Sequence, residues 1–218
     1  MSRLITFGCS HTAGAGLSVE DTWAFKLAKL LDKQLCNQGI DGNSIKGISW
    51  NISTYDYQSD DYVVILWTGQ NRWTVIKEAP YHFLPTGPIP LRNSLIPLNE
   101  SWYRNYRSEL DDNFTSESFI KYADSFLFDR DIKALHMFNH RMYHSTGLLT
   151  ASEYSSKLRL KNDSFDKLHF YEDYRSKHFL LPRIYSKASD GLHLGKKANE
   201  EFSTLIYNYV VKPTKNTI

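Results

Sequence analysis

The chain has 218 residues, which is enough for one domain with a sizeable core. Its 26 basic and 24 acidic side chains give a formal net charge of +2, which argues against the strongly basic surface of proteins that bind nucleic acid or acidic membranes. No stretch approaches the roughly 18 consecutive apolar residues that a membrane-spanning helix needs. We therefore expect one globular domain (residues 1–218) without a nucleic-acid or membrane partner.

The N-terminal segment and the cysteine content indicate the compartment in which the protein is made. The N-terminus enters the first predicted strand directly, which leaves no room for a signal peptide. Cys9 and Cys36 are too few for a disulfide framework, so we expect two free thiols, with a disulfide between them as the less favoured alternative. These features favour a protein made in the cytoplasm.

The first third of the chain alternates between strand and helix patterns. The predicted order is a strand at 3–7, a helix at 23–31, a short strand from residue 35, a helix at about 45–53 and a strand at 62–67. The last of these strands is continuously apolar, as in parallel sheets that are covered on both faces. The alternation predicts an α/β fold with right-handed crossovers, in which the polar turns after the strands meet at one edge.

Two helix starts in this region carry capping residues. Asp21 or Thr22 is expected to cap the first helix, and Asn43 or Ser44 the second.

The remainder is less regular. Residues 79–113 form a predicted insertion rich in proline and aromatic residues, either a lid or binding loop or an ordered surface excursion without a ligand. A helical pattern runs from about 115 to 145, with a possible break at 128–129. A further apolar strand is expected within 148–173 but is not visible there. A strand at 179–185 and a helix at 198–211 complete the prediction.

Three polar residues suggest chemistry at the sheet edge. Ser10 follows the first strand, a position where serine is more often a turn or capping residue. Asp190 and His193 stand three residues apart just before the last helix, a spacing that can place a carboxylate against one ring nitrogen. The other ring nitrogen could then accept a proton from a serine hydroxyl.

Four blocks in order give the sequence a family resemblance. Residues 8–14 (GCSHTAG) resemble Gly-Asp-Ser-x-Thr-x-Gly, and residues 37–44 (NQGIDGNS) resemble Asn-x-Gly-x-x-Gly-x-Ser/Thr. Residues 69–71 (GQN) match Gly-x-Asn, and residues 190–193 (DGLH) match Asp-x-x-His. The chain thus resembles the SGNH hydrolase superfamily, the GDSL-like esterases and lipases. The resemblance implies a three-layer α/β/α sandwich with a mostly parallel, flavodoxin-like central sheet.

The resemblance also implies a role for each matching residue. Ser10 would be the nucleophile, His193 its general base and then general acid, and Asp190 the group that orients the imidazole. The oxyanion hole would consist of the backbone N–H groups of Ser10 and Gly39 and the side-chain amide of Asn71. Glycine at position 39 would let the backbone come close to the substrate. No metal or cofactor is implied.

Two departures from the family pattern leave alternatives open. Cys9 replaces the usual Asp, so a hydrogen-bonding group beside the nucleophile is lost, and Cys9 is itself an outside candidate for a reactive thiol. Arg72 follows Asn71 where the family usually has Asp; it would either meet an anionic substrate or, as we favour, pair with a nearby acid. His11 is a second candidate base.

The leading hypothesis is a serine esterase that hydrolyses small-molecule carboxylic esters or O-acetyl groups on carbohydrate. Acyl transfer to an alcohol would use the same residues. The alternative from another class is a retained SGNH-like scaffold that serves in binding or assembly, for example in a bacteriophage virion or a homo-oligomer.

Overall fold

The computed structural model describes residues 2–70, 72–76, 83–86, 108–138, 142–144, 147–149, 156–164, 187–191 and 193–211. Its helices are α1 (Ser10–Ala13), α2 (Trp23–Leu30), α3 (Ile45–Thr54), α4 (Glu109–Phe128) and α5 (Lys196–Val211). Its strands are β1 (Arg3–Gly8), β2 (Gln34–Gly39), β3 (Tyr62–Trp67), β4 (Trp73–Ile76), β5 (Phe83–Thr86), β6 (Lys133–Phe138), β7 (Met142–His144), β8 (Gly147–Leu149) and β9 (Asp163–Ser164).

The central sheet has the strand order β2-β1-β3-β6-β9, and every neighbouring pair is parallel. In the register, Gly8 lies opposite Gly39, and Phe7 lies opposite Ile65. The carboxyl ends of β1, β2 and β3 therefore meet at one edge. This confirms the predicted α/β fold with a parallel sheet.

The helices lie on both faces of this sheet. The chain moves outward from β1 to β2 through α2 and returns past β1 to β3 through α3, so right-handed crossovers put α2 and α3 on opposite faces. Helix α5 packs against α2, and α4 packs against α3. The result is the predicted three-layer α/β/α arrangement.

The two predicted helix starts are also present. The Thr22 side chain accepts a hydrogen bond from the Phe25 N–H, and the Ser44 side chain accepts one from the Gly47 N–H. Each cap satisfies an amide that the helix itself leaves unpaired, which fixes where the helix begins.

The predicted helix at 115–145 is wrong in its second half. Helix α4 ends at Phe128, and Lys133–Phe138 is the strand β6. Ile132, Leu135 and Phe138 have helical spacing, but they are apolar because β6 lies inside a parallel sheet covered on both faces. A strand that is buried on both faces shows no alternation that could reveal it.

The further apolar strand expected within 148–173 is not found among the described residues of that stretch, 148–149 and 156–164. In the described part of that stretch, the two-residue β9 (Asp163–Ser164) pairs with the main sheet. Within the predicted insertion, β5 pairs with β4 in an antiparallel ribbon, and α4 begins before the insertion's predicted end. The predicted strand at 179–185 lies outside the described residues. No helix among the described residues is long and apolar enough to cross a membrane.

Candidate active site

Ser10 lies at the carboxyl end of β1, at the start of the one-turn helix α1. The Cys9 carbonyl accepts hydrogen bonds from the N–H groups of Thr12 and Ala13, both at 2.9 Å, and Gly14 ends the turn with a φ of +85°. The Ser10 residue is only 4% exposed. The nucleophile candidate is therefore held on a tight turn.

Cys9 is fully buried, and both cysteines are free thiols. The preferred expectation, that no disulfide joins Cys9 and Cys36, is confirmed. A buried thiol in an apolar core is a poor candidate for a reactive group.

The turn packs closely on the ends of two strands, at two glycines. A Cβ added to Gly8 would lie 2.1 Å from Thr12 Oγ1, and one added to Gly39 would lie 2.3 Å from the Ala13 backbone nitrogen. A side chain at either position would push α1 away from the sheet. Gly39 therefore has a packing role beneath α1, which the sequence analysis did not foresee.

The structure brings Ser10, His193 and Asp190 together. The distance from His193 Nε2 to Ser10 Oγ is 2.8 Å, and that from His193 Nδ1 to Asp190 Oδ2 is 2.5 Å. The His193 backbone N–H also donates to Asp190 Oδ1 at 3.0 Å. Because a carboxylate only accepts hydrogen bonds, Nδ1 carries the proton and Nε2 is left to accept the Ser10 hydroxyl proton.

The loop that carries the acid and the imidazole is tied to the segment after α1. The Gly16 carbonyl accepts hydrogen bonds from the Ser189 N–H (3.0 Å) and the Ser189 hydroxyl (2.8 Å). Gly16 has a φ of +75°, and a Cβ there would lie 2.9 Å from Asp190 Cγ. Two segments more than 170 residues apart are thus held in contact.

The ring of His11, the second candidate base, lies against the ring of His193. The two imidazole rings meet edge to face with their centroids 4.9 Å apart. His193 is the imidazole whose nitrogen lies within hydrogen-bond distance of Ser10 Oγ. His11 therefore flanks the Ser10–His193 pair.

The predicted oxyanion donors differ in their surroundings. Asn71 lies outside the described residues. The Gly39 N–H donates a hydrogen bond to Asn37 Oδ1 at 2.9 Å. Within the described residues, the N–H groups of Ser10 and Gly42 donate no hydrogen bond, and Gly42 takes a φ of +71° in the turn after β2. In the described part of the chain, two backbone donors near the strand ends are therefore unengaged, whereas the Gly39 N–H is engaged.

Asn37 is the residue that the sequence analysis missed here. It opens the second family block, and that position was the only signal in the sequence. Its side chain joins three segments around the site, as described below.

The ion pair that we favoured for Arg72 stays a prediction. Arg72 lies in the wall of a small cavity that Lys46 and Asp112 also line. Its Nη1 atom is buried and has no hydrogen-bond partner in the described part of the chain. Among the described residues, no group of three or more His, Cys, Asp and Glu side chains is arranged as a metal site.

Comparisons with known proteins rest on structure alone, since no protein-family model and no curated protein matches the chain. The psychrotrophic esterase EstA from Pseudoalteromonas sp., in a form inhibited by monoethylphosphonate, matches with a TM-score of 0.56 and 16% identity, over 98% of this chain and 99% of EstA. The protein TesA matches with a TM-score of 0.57 and 14% identity, over 98% and 99% of the two chains.

A third match is the acetyl xylan esterase Est2A from the rumen bacterium Butyrivibrio proteoclasticus. Its TM-score is 0.55 at 12% identity, over 97% of this chain and 64% of Est2A. At these identities the matches establish the fold. The chain shares the α/β fold of EstA and TesA across nearly its full length.

Proposed function

We propose that this protein is a serine esterase that hydrolyses carboxylic esters through an acyl-enzyme. The observation that carries the proposal is the continuous chain of contacts from Ser10 Oγ through the His193 ring to the Asp190 carboxylate. These residues lie at opposite ends of the sequence, yet they converge at the carboxyl edge of a parallel sheet, where ligands of open α/β sheets bind. The fold shared with SGNH/GDSL esterases supports an ester hydrolase.

Each member of the triad has one task in this reaction. Ser10 Oγ attacks the ester carbonyl while His193 Nε2 takes its proton, and the Asp190 carboxylate stabilises the imidazolium that forms. When the tetrahedral intermediate collapses, His193 returns the proton to the departing alcohol and the acyl group stays on Ser10. A water molecule then gives its proton to His193 and attacks the acyl-enzyme, which releases the acid and regenerates the serine.

The negative charge on the carbonyl oxygen needs fixed donors, each of which is often worth about 3 kcal/mol in the transition state. We assign this task to the Ser10 N–H and the Asn71 side-chain amide. The Gly39 N–H would join them only by releasing or sharing its bond to Asn37. Gly42, whose N–H has no partner among the described residues, is a further candidate donor.

Two substrate classes follow for testing. Short-chain acyl esters suit the proposed chemistry directly, and O-acetylated carbohydrate is suggested by the shared fold with the acetyl xylan esterase. Transfer of the acyl group to an added alcohol would use the same residues, since an alcohol can replace water in the second step.

The test is a screen of p-nitrophenyl acyl esters and acetylated oligosaccharides with the wild-type chain and Ser10→Ala. We expect turnover of at least one ester by the wild type and its loss in the variant. An added alcohol acceptor, with product analysis, separates hydrolysis from acyl transfer. A folded wild type that turns over no ester would contradict the proposal and favour a binding or assembly role for the same scaffold.

A further inference from the structure

Asn37 lies on β2, next to the strand that leads into the Ser10 turn, and its side chain makes three hydrogen bonds. Its Nδ2 group donates to the Thr12 carbonyl at 2.8 Å. Its Oδ1 atom accepts from the Thr6 hydroxyl at 3.1 Å and from the Gly39 N–H at 2.9 Å. One amide thus contacts β1, α1 and the end of β2.

The two arms of this amide act on different parts of the site. The donor arm reaches the carbonyl of Thr12, which lies in the same four-residue helix as Ser10. The acceptor arm reaches the N–H of Gly39, the residue over which that helix packs. A short helix has little cooperativity of its own, so its place on the sheet depends on such tertiary contacts.

We propose that Asn37 is a positioning residue for the reaction: it fixes the Ser10 turn on the end of β2 and holds the Gly39 N–H. The inference rests on the proposed esterase function. Asn37 touches neither Ser10 Oγ nor His193 among its described contacts, so it acts through the placement of α1. Small displacements of a reacting group can lower the rate by a large factor. A residue that does not contact the reacting atoms can therefore still affect kcat through their placement.

Two substitutions separate this role from ordinary packing. Asn37→Ala removes all three hydrogen bonds at every pH. Asn37→Asp keeps the acceptor oxygen but sets a carboxylate against the Thr12 carbonyl, and a protonated Asp regains the missing donor. The three groups that contact the Asn37 amide are uncharged. A pH-dependent difference that is specific to Asn37→Asp therefore reports the introduced carboxyl group.

The experiment measures kcat and KM of the wild type, Ser10→Ala and both Asn37 variants from pH 5 to 8. We expect each Asn37 variant to lose about tenfold or more in kcat near neutral pH, with a much smaller change in KM. The ratio of Asn37→Asp to wild-type kcat rises as the pH falls, whereas the ratio for Asn37→Ala stays flat. Hydrogen exchange of the Gly39 amide is faster in Asn37→Ala than in the wild type.

Asn43 provides the matched control. It is buried, whereas Asn37 is half-buried, and its Oδ1 atom accepts a hydrogen bond from the next residue in its own turn, the Ser44 N–H. Asn43→Asp should show no acid-dependent recovery of kcat relative to the wild type.

Two results would overturn the role of Asn37: wild-type kcat in Asn37→Ala, or a kcat ratio for Asn37→Asp that does not change with pH. If Asn37→Ala fails to fold, the pH dependence of the kcat ratio of Asn37→Asp to the wild type is by itself the test of the role of Asn37. Failure of the proposed function looks different, because the wild type and Ser10→Ala would then have equal turnover.

Discussion

The described residues include two histidine–aspartate pairs with the same chemistry and opposite surroundings. His193 and Asp190 lie at the carboxyl edge of the sheet with side chains 19% and 29% exposed, and their closest atoms are 2.5 Å apart. His136 on β6 and Asp124 on α4 are 0% and 3% exposed, with Nε2 and Oδ1 3.3 Å apart. That second contact is close enough for an ion pair, but it is not aligned as a hydrogen bond.

The two pairs differ most in the partner of the imidazole nitrogen that faces away from the aspartate. His193 presents Nε2 to the Ser10 hydroxyl, whereas His136 Nδ1 accepts a hydrogen bond from Trp67 Nε1 at 3.0 Å. An indole N–H only donates, so this nitrogen of His136 is already occupied. The pair at the edge can receive a proton from a nucleophile, and the pair in the core cannot.

The buried pair instead links three elements. Asp124 accepts hydrogen bonds from the backbone N–H groups of Lys161 (2.6 Å) and Asn162 (3.0 Å), and the Asn162 side chain adds another at 2.8 Å. Helix α4, strand β6 and the segment before β9 are thus joined through one carboxylate. The comparison teaches that the same residue pair is open to a nucleophile or confined to the core according to its third partner and its access to solvent.

The largest effect is expected from a substitution that removes the exposed His193–Asp190 pair. His193→Ala leaves Ser10 without a base, so we expect kcat/KM to fall about 10³-fold or more. The unfolding transition should move little, because the lost side chain lies at the surface edge of the sheet. Ester hydrolysis and thermal unfolding measured on the same preparation check the loss of turnover and the unchanged stability. Wild-type turnover in His193→Ala would contradict the proposed role of His193.

The second-largest effect is expected from a substitution in the buried His136–Asp124 pair. Asp124→Asn replaces a charged acceptor by an amide whose NH₂ group faces N–H donors, and we expect the free energy of unfolding to fall by about 2–4 kcal/mol. Turnover per folded molecule should stay close to that of the wild type. Urea unfolding and active-site titration test this, and an activity loss without a stability loss would reverse the two roles.

The pH dependence sharpens the second prediction. Burial would raise the pKa of Asp124, but its contacts with His136, Lys161 and Asn162 outweigh burial and lower the pKa to about 2. A lowered folded-state pKa stabilises the protein above the unfolded value of about 3.9, and this contribution is lost as the pH falls towards 2. The stability gap between the wild type and Asp124→Asn should therefore narrow below about pH 4. A gap that stays constant down to pH 2 would contradict the assignment.

The smallest effect is expected at the contact between Gly16 and the loop that carries Asp190 and His193. Gly16→Ala strains a backbone with positive φ and pushes a methyl group to within 2.9 Å of Asp190 Cγ, so we expect kcat to fall about tenfold. Gly191→Ala is the matched control, since its φ is +69° but no atom of the described residues lies within 4 Å of the added Cβ. Gly16→Ala should lose clearly more kcat than Gly191→Ala, and equal losses would mean that backbone strain alone is responsible.

Much of the fold was readable from local patterns. Strand β3 is continuously apolar, and Thr22 and Ser44 mark the helix starts chemically, so these elements were predicted close to their observed bounds. Strand β6 was misread because its apolar residues also fit helical spacing, and a strand buried on both faces shows no alternation. His136 is tolerated in the core only because Trp67 and Asp124, from other elements, surround it.

The site divides in the same way. Ser10, Asp190 and His193 stand in recognisable blocks, and their convergence follows from the parallel sheet once the strand order is known. The bond from Gly39 to Asn37 could not be predicted, since it depends on a side-chain orientation set by the packing of α1 against β2. Long-range contacts of this kind leave no periodic trace in a sequence.

The most direct test of the central claim is peptide mapping of the wild-type chain after reaction with a fluorophosphonate, which phosphonylates activated serines. We expect a single adduct on the peptide that contains Ser10, with labelling strongly slowed in His193→Ala. A folded wild type that remains unlabelled, or that is labelled at another serine, would contradict the account.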